Sequence, residues 1–153
     1  MSKRAVIISA VVLVLLLGGG YLGSKWHSGT QPAFRGRAIP VKGVEDKYVD
    51  DWVAAFEKAL SDEEVLKKIL AESNYASLLE VPDGEALSRL KESIRVRKKN
   101  SNKTIEIGIN GQRKDDEILK DIGMTVYKIA EEEVRFSTPS FQDYIDAALK
   151  AGQ

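Results

Sequence analysis

Apolar residues fall along this chain in one unbroken run and then in two distinct rhythms. Ala5 to Leu17 is apolar throughout except for Ser9, and with Gly18 to Gly23 the uncharged stretch reaches 19 residues. A helix of that length covers roughly the ~30 Å hydrocarbon core of a bilayer. The helical rhythm follows. In Asp46 to Leu60, apolar Tyr48, Trp52, Val53, Phe56 and Leu60 recur at spacings of three and four, with Trp52 and Phe56 expected in the core. Ser61 with Glu64 reads as a capping box that opens a second helix, whose buried face is Val65, Leu66, Ile69 and Leu70. Asn74 to Asp83 reads as a loop holding Leu78, Leu79 and Val81, and Gly84 to Glu92 as a short helix with Leu87 and Leu90.

The alternating rhythm is clearest next. Ile94 and Val96 alternate with Arg95 and Arg97, and Ile105, Ile107 and Ile109 alternate with Thr104, Glu106 and Gly108. With Asn100-Ser101-Asn102 between them, the two segments predict a hairpin with one apolar face. Across its strands Arg95 and Arg97 are expected to pair with Glu106. A weaker strand spans Phe34 to Val44, where Pro40 confines it to a sheet edge or a strand end. Asp115-Asp116-Glu117 suits a helix start. Behind it, Ile118, Ile122, Val126, Ile129, Ala130 and Val134 form one long face to cover the hairpin. Past Pro139, Ser140 and Asp143 are placed to cap a last helix bearing Phe141, Tyr144, Ile145, Ala148 and Leu149. The predicted order is βααα-ββ-αα. That is an α+β fold: a small antiparallel or mixed sheet covered by helices on one face, preceded by a single N-terminal transmembrane helix.

Charge orients the molecule. The formal net charge is zero, yet residues 1–42 carry six basic residues and no acid, while residues 43–153 carry 17 basic and 23 acidic ones, a net −6. An acidic globular part argues against nucleic acid as a partner. Lys3 and Arg4 mark a cytoplasmic end, and Tyr21 and Trp26 sit where interfacial aromatics sit. The expected organisation is a cytoplasmic N-terminus (1–4), a transmembrane helix contacting the lipid bilayer (5–23), a tether (24–33) and an extracytoplasmic domain (34–153). A cleaved signal peptide is the rival reading, favoured by Gly18 and Gly20 and opposed by the length of the uncharged stretch. With no cysteine, disulfides, zinc thiolate sites, thiol catalysis and a lipoprotein anchor are excluded.

Candidate chemistry is sparse. The one histidine, His27, lies beside the apolar run, and there is no metal-ligand spacing, phosphate loop or nucleophile motif. No cofactor and no enzymatic activity are expected. The paired acids Asp50-Asp51, Asp115-Asp116 and Glu131-Glu132-Glu133 read as helix starts or solvated faces. One local field stands out: Arg95, Arg97, Lys98, Lys99 and Lys103. It reads either as the solvent face of the hairpin or as a patch for an acidic neighbour, a phosphate-bearing glycan or lipid headgroups. Asn102-Lys103-Thr104 has the form of a glycosylation sequon.

The stretch from about residue 34 to 134 resembles the polysaccharide chain-length determinant proteins, or polysaccharide co-polymerases. The likeness is carried by Phe34 to Ala38 as a first strand, by Ala59-Leu60-Ser61 through Ile69-Leu70, and by Leu90 through Thr104-Ile105-Glu106-Ile107. Asp115-Asp116 stands near the family's Asp-Pro, and Ile122-Gly123-Met124 replaces its Ile-Ala-Asn step. Family members have a long helical excursion and a second membrane helix. Here 19 residues follow Val134 without a second apolar run, so the expectation is a single-pass chain with the membrane-proximal α/β base alone. The resemblance implies a bacterial inner-membrane protein with its domain facing the periplasm or exterior. It would be a scaffold for surface polysaccharide assembly or export, as a homo-oligomer or docked on a larger co-polymerase or export complex. The alternative is a general envelope adaptor that binds a protein partner.

Overall fold

The computed structural model describes residues 30–101 and 103–151. The expected transmembrane helix at 5–23 and most of the tether lie outside the described residues, as do His27 and Asn102. Among the described residues no helix is long and apolar enough to cross a membrane.

The protein is α+β, with three antiparallel strands and six α-helices among the described residues. Strand β1 (Pro32–Pro40) is followed by α1 (Asp46–Ala59), α2 (Glu63–Glu72), α3 (Tyr75–Leu79) and α4 (Asp83–Ser93). Then come β2 (Ile94–Lys99), β3 (Thr104–Gln112), α5 (Asp116–Ser137) and α6 (Pro139–Ala151). Four helices, not three, therefore separate β1 from the hairpin. The additional one is α3, in the segment expected to be a loop. Its five residues are too few to pay for a helical nucleus locally. Burial of Tyr75, whose hydroxyl lies 3.0 Å from Ser93 Oγ at the end of α4, supplies the support.

The sheet order is β1-β3-β2. The expected hairpin is present, with Ile94 opposite Ile109 and Val96 opposite Ile107. Pairing with β1 carries β3 on to Gln112, beyond the expected end at Ile109, because Asn110, Gly111 and Gln112 find partners in Phe34, Ala33 and Pro32. For the same reason β1 starts at Pro32, inside the expected tether. It stops at Pro40 rather than Val44, at the end of an edge strand. Opposed residues of antiparallel strands share a face, so Ile39, Ile94, Ile105, Ile107 and Ile109 form one buried surface.

Helices cover that surface. In α5 the buried line is Leu119, Ile122, Gly123, Val126, Ile129, Ala130 and Val134. Leu119 takes the place expected of Ile118, which is exposed. Helix α5 lies very close to the sheet: a Cβ on Gly123 would overlap the carbonyl oxygen of Arg35 and lie 2.8 Å from its carbon. Under it, Gly36 of β1 faces Gly108 of β3, and a Cβ on Gly36 would lie 2.5 Å from Gly108 Cα.

Two other expectations shift by a residue. In α1 the buried line is Val49, Trp52 and Phe56, and Tyr48 is exposed. At 100° per residue, the stripe centred on Trp52 and Phe56 admits Val49 three residues back and turns Tyr48 outward. The cap of α2 is Asp62, whose Oδ1 accepts from the amides of Glu64 (2.9 Å) and Val65 (3.3 Å). Ser61 instead closes α1, its hydroxyl donating to the Glu57 carbonyl at 2.7 Å. Ser140 is likewise not a cap. The carbonyl of Thr138 accepts from Phe141 and Gln142, Pro139 holds the first helical position, and Ser140 Oγ accepts from Trp52 Nε1 at 3.0 Å. Of the last helix, Phe141 is fully buried and Leu149 is exposed.

Candidate interaction surface

The register sorts the five hairpin cations onto different surfaces. Arg95, Arg97 and Lys99 lie opposite Gly108, Glu106 and Thr104, on the sheet face that buries no side chain. Lys98 points the other way, opposite Ile105. Its Nζ lies 2.6 Å from Asp50 Oδ1 and 3.8 Å from Asp46 Oδ1 of α1. The hydrogen bond that Lys98 donates to Asp50 raises the Lys98 pKa above its ordinary value, with lesser help from the charges of Asp50 and Asp46. Lys103, in the turn with φ 51°, reaches Asp46 at 3.6 Å. Lys98 and Lys103 therefore tie the hairpin to α1, and the open face keeps three cations.

On that face the expected arginine pairs with Glu106 do not form. Although Arg97 is opposite Glu106, Lys99 takes the carboxylate at 2.8 Å. The Arg97 guanidinium instead lies 4.8 Å from the ring centroid of Phe34 on β1 and donates to Asn110 Oδ1 at 3.2 Å. Arg95 donates only to backbone carbonyls, of Glu92 (2.5 Å) and Ile94 (2.6 Å). Between the basic residues of β2 and Phe34 on β1, β3 presents Glu106, Gly108 and Asn110 on this face, and β1 adds Gly36 and Ala38. Arg97 thus reaches from β2 across β3 to Phe34, and among the described residues the face carries three cations and one acid.

Two arginines outside the expected patch behave differently. Arg35 and Arg37 lie opposite Ile109 and Ile107, so they share the helix-covered face at the β1 edge. Arg35 pairs with Asp116 at the start of α5, and the Arg37 guanidinium stands 5.4 Å from the Tyr127 ring centroid. Burial, aided by a hydrogen bond to Glu131, pushes the Tyr127 hydroxyl well above its ordinary pKa. The alternation of Arg35 and Arg37 with Gly36 and Ala38 is the sequence signal for this placement.

The acid pairs have structural work. Asp50 holds Lys98, Asp116 holds Arg35, and Glu132 and Glu133 approach Lys68 at 3.4 and 3.9 Å. Among the described residues no group of three or more His, Cys, Asp or Glu is arranged to hold a metal ion.

Sequence reasoning missed one exposed aromatic. Phe136, near the end of α5, is 86 % exposed and borders a groove of about 800 Å³ with Lys128, Glu131, Glu132, Arg135 and Gln142. Arg135 is held across it by Gln142 Oε1 (2.9 Å) and Asp146 Oδ1 (3.2 Å) of α6.

No family model matches the chain, and neither a curated protein nor a solved structure matches it.

Proposed function

We propose that this protein is a non-catalytic, membrane-anchored domain that assists assembly or export of a surface polysaccharide as a scaffold. The observation that carries the reading is topological. An N-terminal apolar stretch long enough for a bilayer precedes a strand, a run of helices, a hairpin and a long helix laid on the sheet. That order is the one the resemblance to chain-length determinants implies. Residues 5–23 are the anchor in this reading, with the domain on the far side of the inner membrane from Lys3 and Arg4. The chain enters the domain beside Arg113, whose amide donates to the Gln31 carbonyl at 2.9 Å. Sugar transfer belongs to a partner, and self-association or docking on a larger export complex supplies the scaffold.

A second reading, an envelope adaptor for a protein partner, is favoured by one observation. Phe136 is an aromatic anchor left in water beside a groove of mixed charge. Co-purification of the full chain from detergent-solubilised membranes separates the two. Polysaccharide polymerase or export components among the captured proteins support the scaffold. Capture of unrelated envelope proteins alone supports the adaptor.

A further inference from the structure

We infer that the outer edge of β1 is a docking site for an extended acidic segment of another protein, which joins the sheet as a further strand antiparallel to β1. This stands apart from the scaffold reading, because the register, the charges and the closed ends of that edge carry it.

The sheet order leaves β1 at an edge, packed on β3 and under α5. Two bonds that continue its register with β3 fix which backbone groups point outward. The Arg113 amide donates to the Gln31 carbonyl at 2.9 Å, and the Val41 amide to the Lys103 carbonyl at 2.8 Å. Facing residues of an antiparallel ladder alternate between bonded and non-bonded pairs, so the odd-numbered residues of β1 turn their amides and carbonyls to β3. The even-numbered ones, Pro32, Phe34, Gly36, Ala38 and Pro40, turn theirs away. Both ends of this row are closed. Pro32 and Pro40 have no N–H to offer, the Pro40 carbonyl accepts from the Tyr144 hydroxyl, and the Phe34 carbonyl accepts from Arg35 Nη1 at 2.7 Å. The middle is open. Gly36, Arg37 and Ala38 are exposed, and no side chain of the described residues bonds the outward groups of Gly36 and Ala38.

Charge selects the occupant. Arg35 and Arg37 flank Gly36 on the helix-covered side of the edge. Arg35 is paired with Asp116, whereas Arg37 has no acid among the described residues, its guanidinium standing 5.4 Å from the Tyr127 ring centroid. A second copy of β1 laid antiparallel on this edge sets like charges against each other. Centred on Gly36, it puts Arg35 opposite Arg37 of the other copy. Slid by two residues, it puts Arg35 or Arg37 opposite its own equivalent, and like charges directly opposite are destabilising. A strand with an acid on each side of the residue facing Gly36 places a carboxylate against each arginine, in the closely spaced non-bonded positions. Main-chain bonds then give affinity, and the alternate side chains give specificity. Residues 1–29 contain no acid and cannot supply such a strand. Lipid and nucleic acid have no backbone ladder to match these donors and acceptors.

The test uses the full chain in detergent micelles and a dye-labelled peptide, Val-Thr-Glu-Val-Glu-Thr-Val, followed by fluorescence anisotropy. The peptide is expected to bind, and Gln in place of both Glu is expected to weaken it about tenfold. Methylating the backbone nitrogen of the central Val, which faces Gly36, keeps the charge and is expected to abolish binding. Ala38→Pro removes an outward N–H at the parity Pro32 and Pro40 already occupy, and is expected to abolish binding while thermal unfolding shows the fold retained. Arg37→Glu is expected to reject this peptide and to bind Val-Thr-Lys-Val-Glu-Thr-Val more tightly than the wild type does, a gain that misfolding does not produce. Failure of the Glu peptide to bind, equal binding of the methylated peptide, or no such gain in Arg37→Glu would overturn the inference. Self-association of the wild-type chain that Ala38→Pro removes would give the edge to a second copy and overturn it as well.

Discussion

The indole Nε1 of Trp52 donates to the hydroxyl of Ser140 at 3.0 Å, joining α1 to α6 across 88 positions of sequence. Around this bond the aromatic rings interlock. Trp52 and Phe56 each meet Phe141 edge-on, with centroids 5.3 and 5.2 Å apart, and Tyr144 lies 5.1 Å from Trp52. The Tyr144 hydroxyl continues the link to the sheet by donating to the Pro40 carbonyl. The last helix is thus part of the core.

Loss of the acceptor leaves a buried donor without a partner, so Ser140→Ala is expected to cost about 1–2 kcal/mol. Phe141→Ala removes a fully buried ring and is expected to cost about 3–5 kcal/mol. Denaturant titrations followed by Trp fluorescence measure both. An unchanged midpoint for Ser140→Ala would show that the indole finds another acceptor.

Much of this architecture is legible in the residues, and the exceptions share a cause. The hairpin is clear because Ile94, Val96, Ile105, Ile107 and Ile109 keep a period of two on a surface that a helix buries. Helix α3 is not, since its five residues become helical only when Tyr75 docks on α4. Stripes misjudged by one residue, Tyr48 for Val49 and Ile118 for Leu119, reflect that a neighbouring apolar residue on a helix is 100° away. Which of the two chooses the core is a matter of tertiary packing. The cap of α2 moves from Ser61 to Asp62 because Ser61 is already engaged by Glu57. For the basic cluster the parity was in the sequence: Lys98 differs from Arg95, Arg97 and Lys99. What parity leaves open is the acid opposite Lys98, which comes from α1, 48 positions away.

Glycine 123 sets two effects against each other. Alanine there gains up to about 1 kcal/mol of helix propensity. Its methyl group, however, must enter the Arg35 carbonyl, and overpacking of that kind costs about 1–3 kcal/mol. The steric term is expected to win, so Gly123→Ala destabilises. Gly36→Ala gains a similar amount of about 1 kcal/mol, but its methyl group would overlap the backbone of Ile107 and Gly108 more deeply, so it is expected to lose more. Gly43 has φ 87° and no neighbour within 4 Å, so Gly43→Ala carries only the left-handed backbone cost of about 1–2 kcal/mol. Thermal unfolding of the three variants orders them, and a stabilised Gly123→Ala would mean that α5 does not lie this close to β1.

Alkali tests the packing of Tyr127. Its folded pKa is raised, chiefly by burial and then by the bond to Glu131, while Arg37 and Arg135 pull it down. Below the unfolded value near 10 the phenol is neutral in both states, and its contribution to stability is fully present. As pH rises past about 10, the unfolded phenol ionises and the folded one does not, so stability falls. Tyr127→Phe is expected to flatten that part of the pH–stability curve. An unaltered slope would place the hydroxyl in water.

The scaffold reading meets its most direct test in the polymer itself. Deleting the gene and resolving the surface polysaccharide by size is expected to change its length distribution or amount. The full chain is expected to restore the profile, and a chain lacking residues 5–23 is expected not to. A polymer unchanged in both length and amount after deletion would contradict the account.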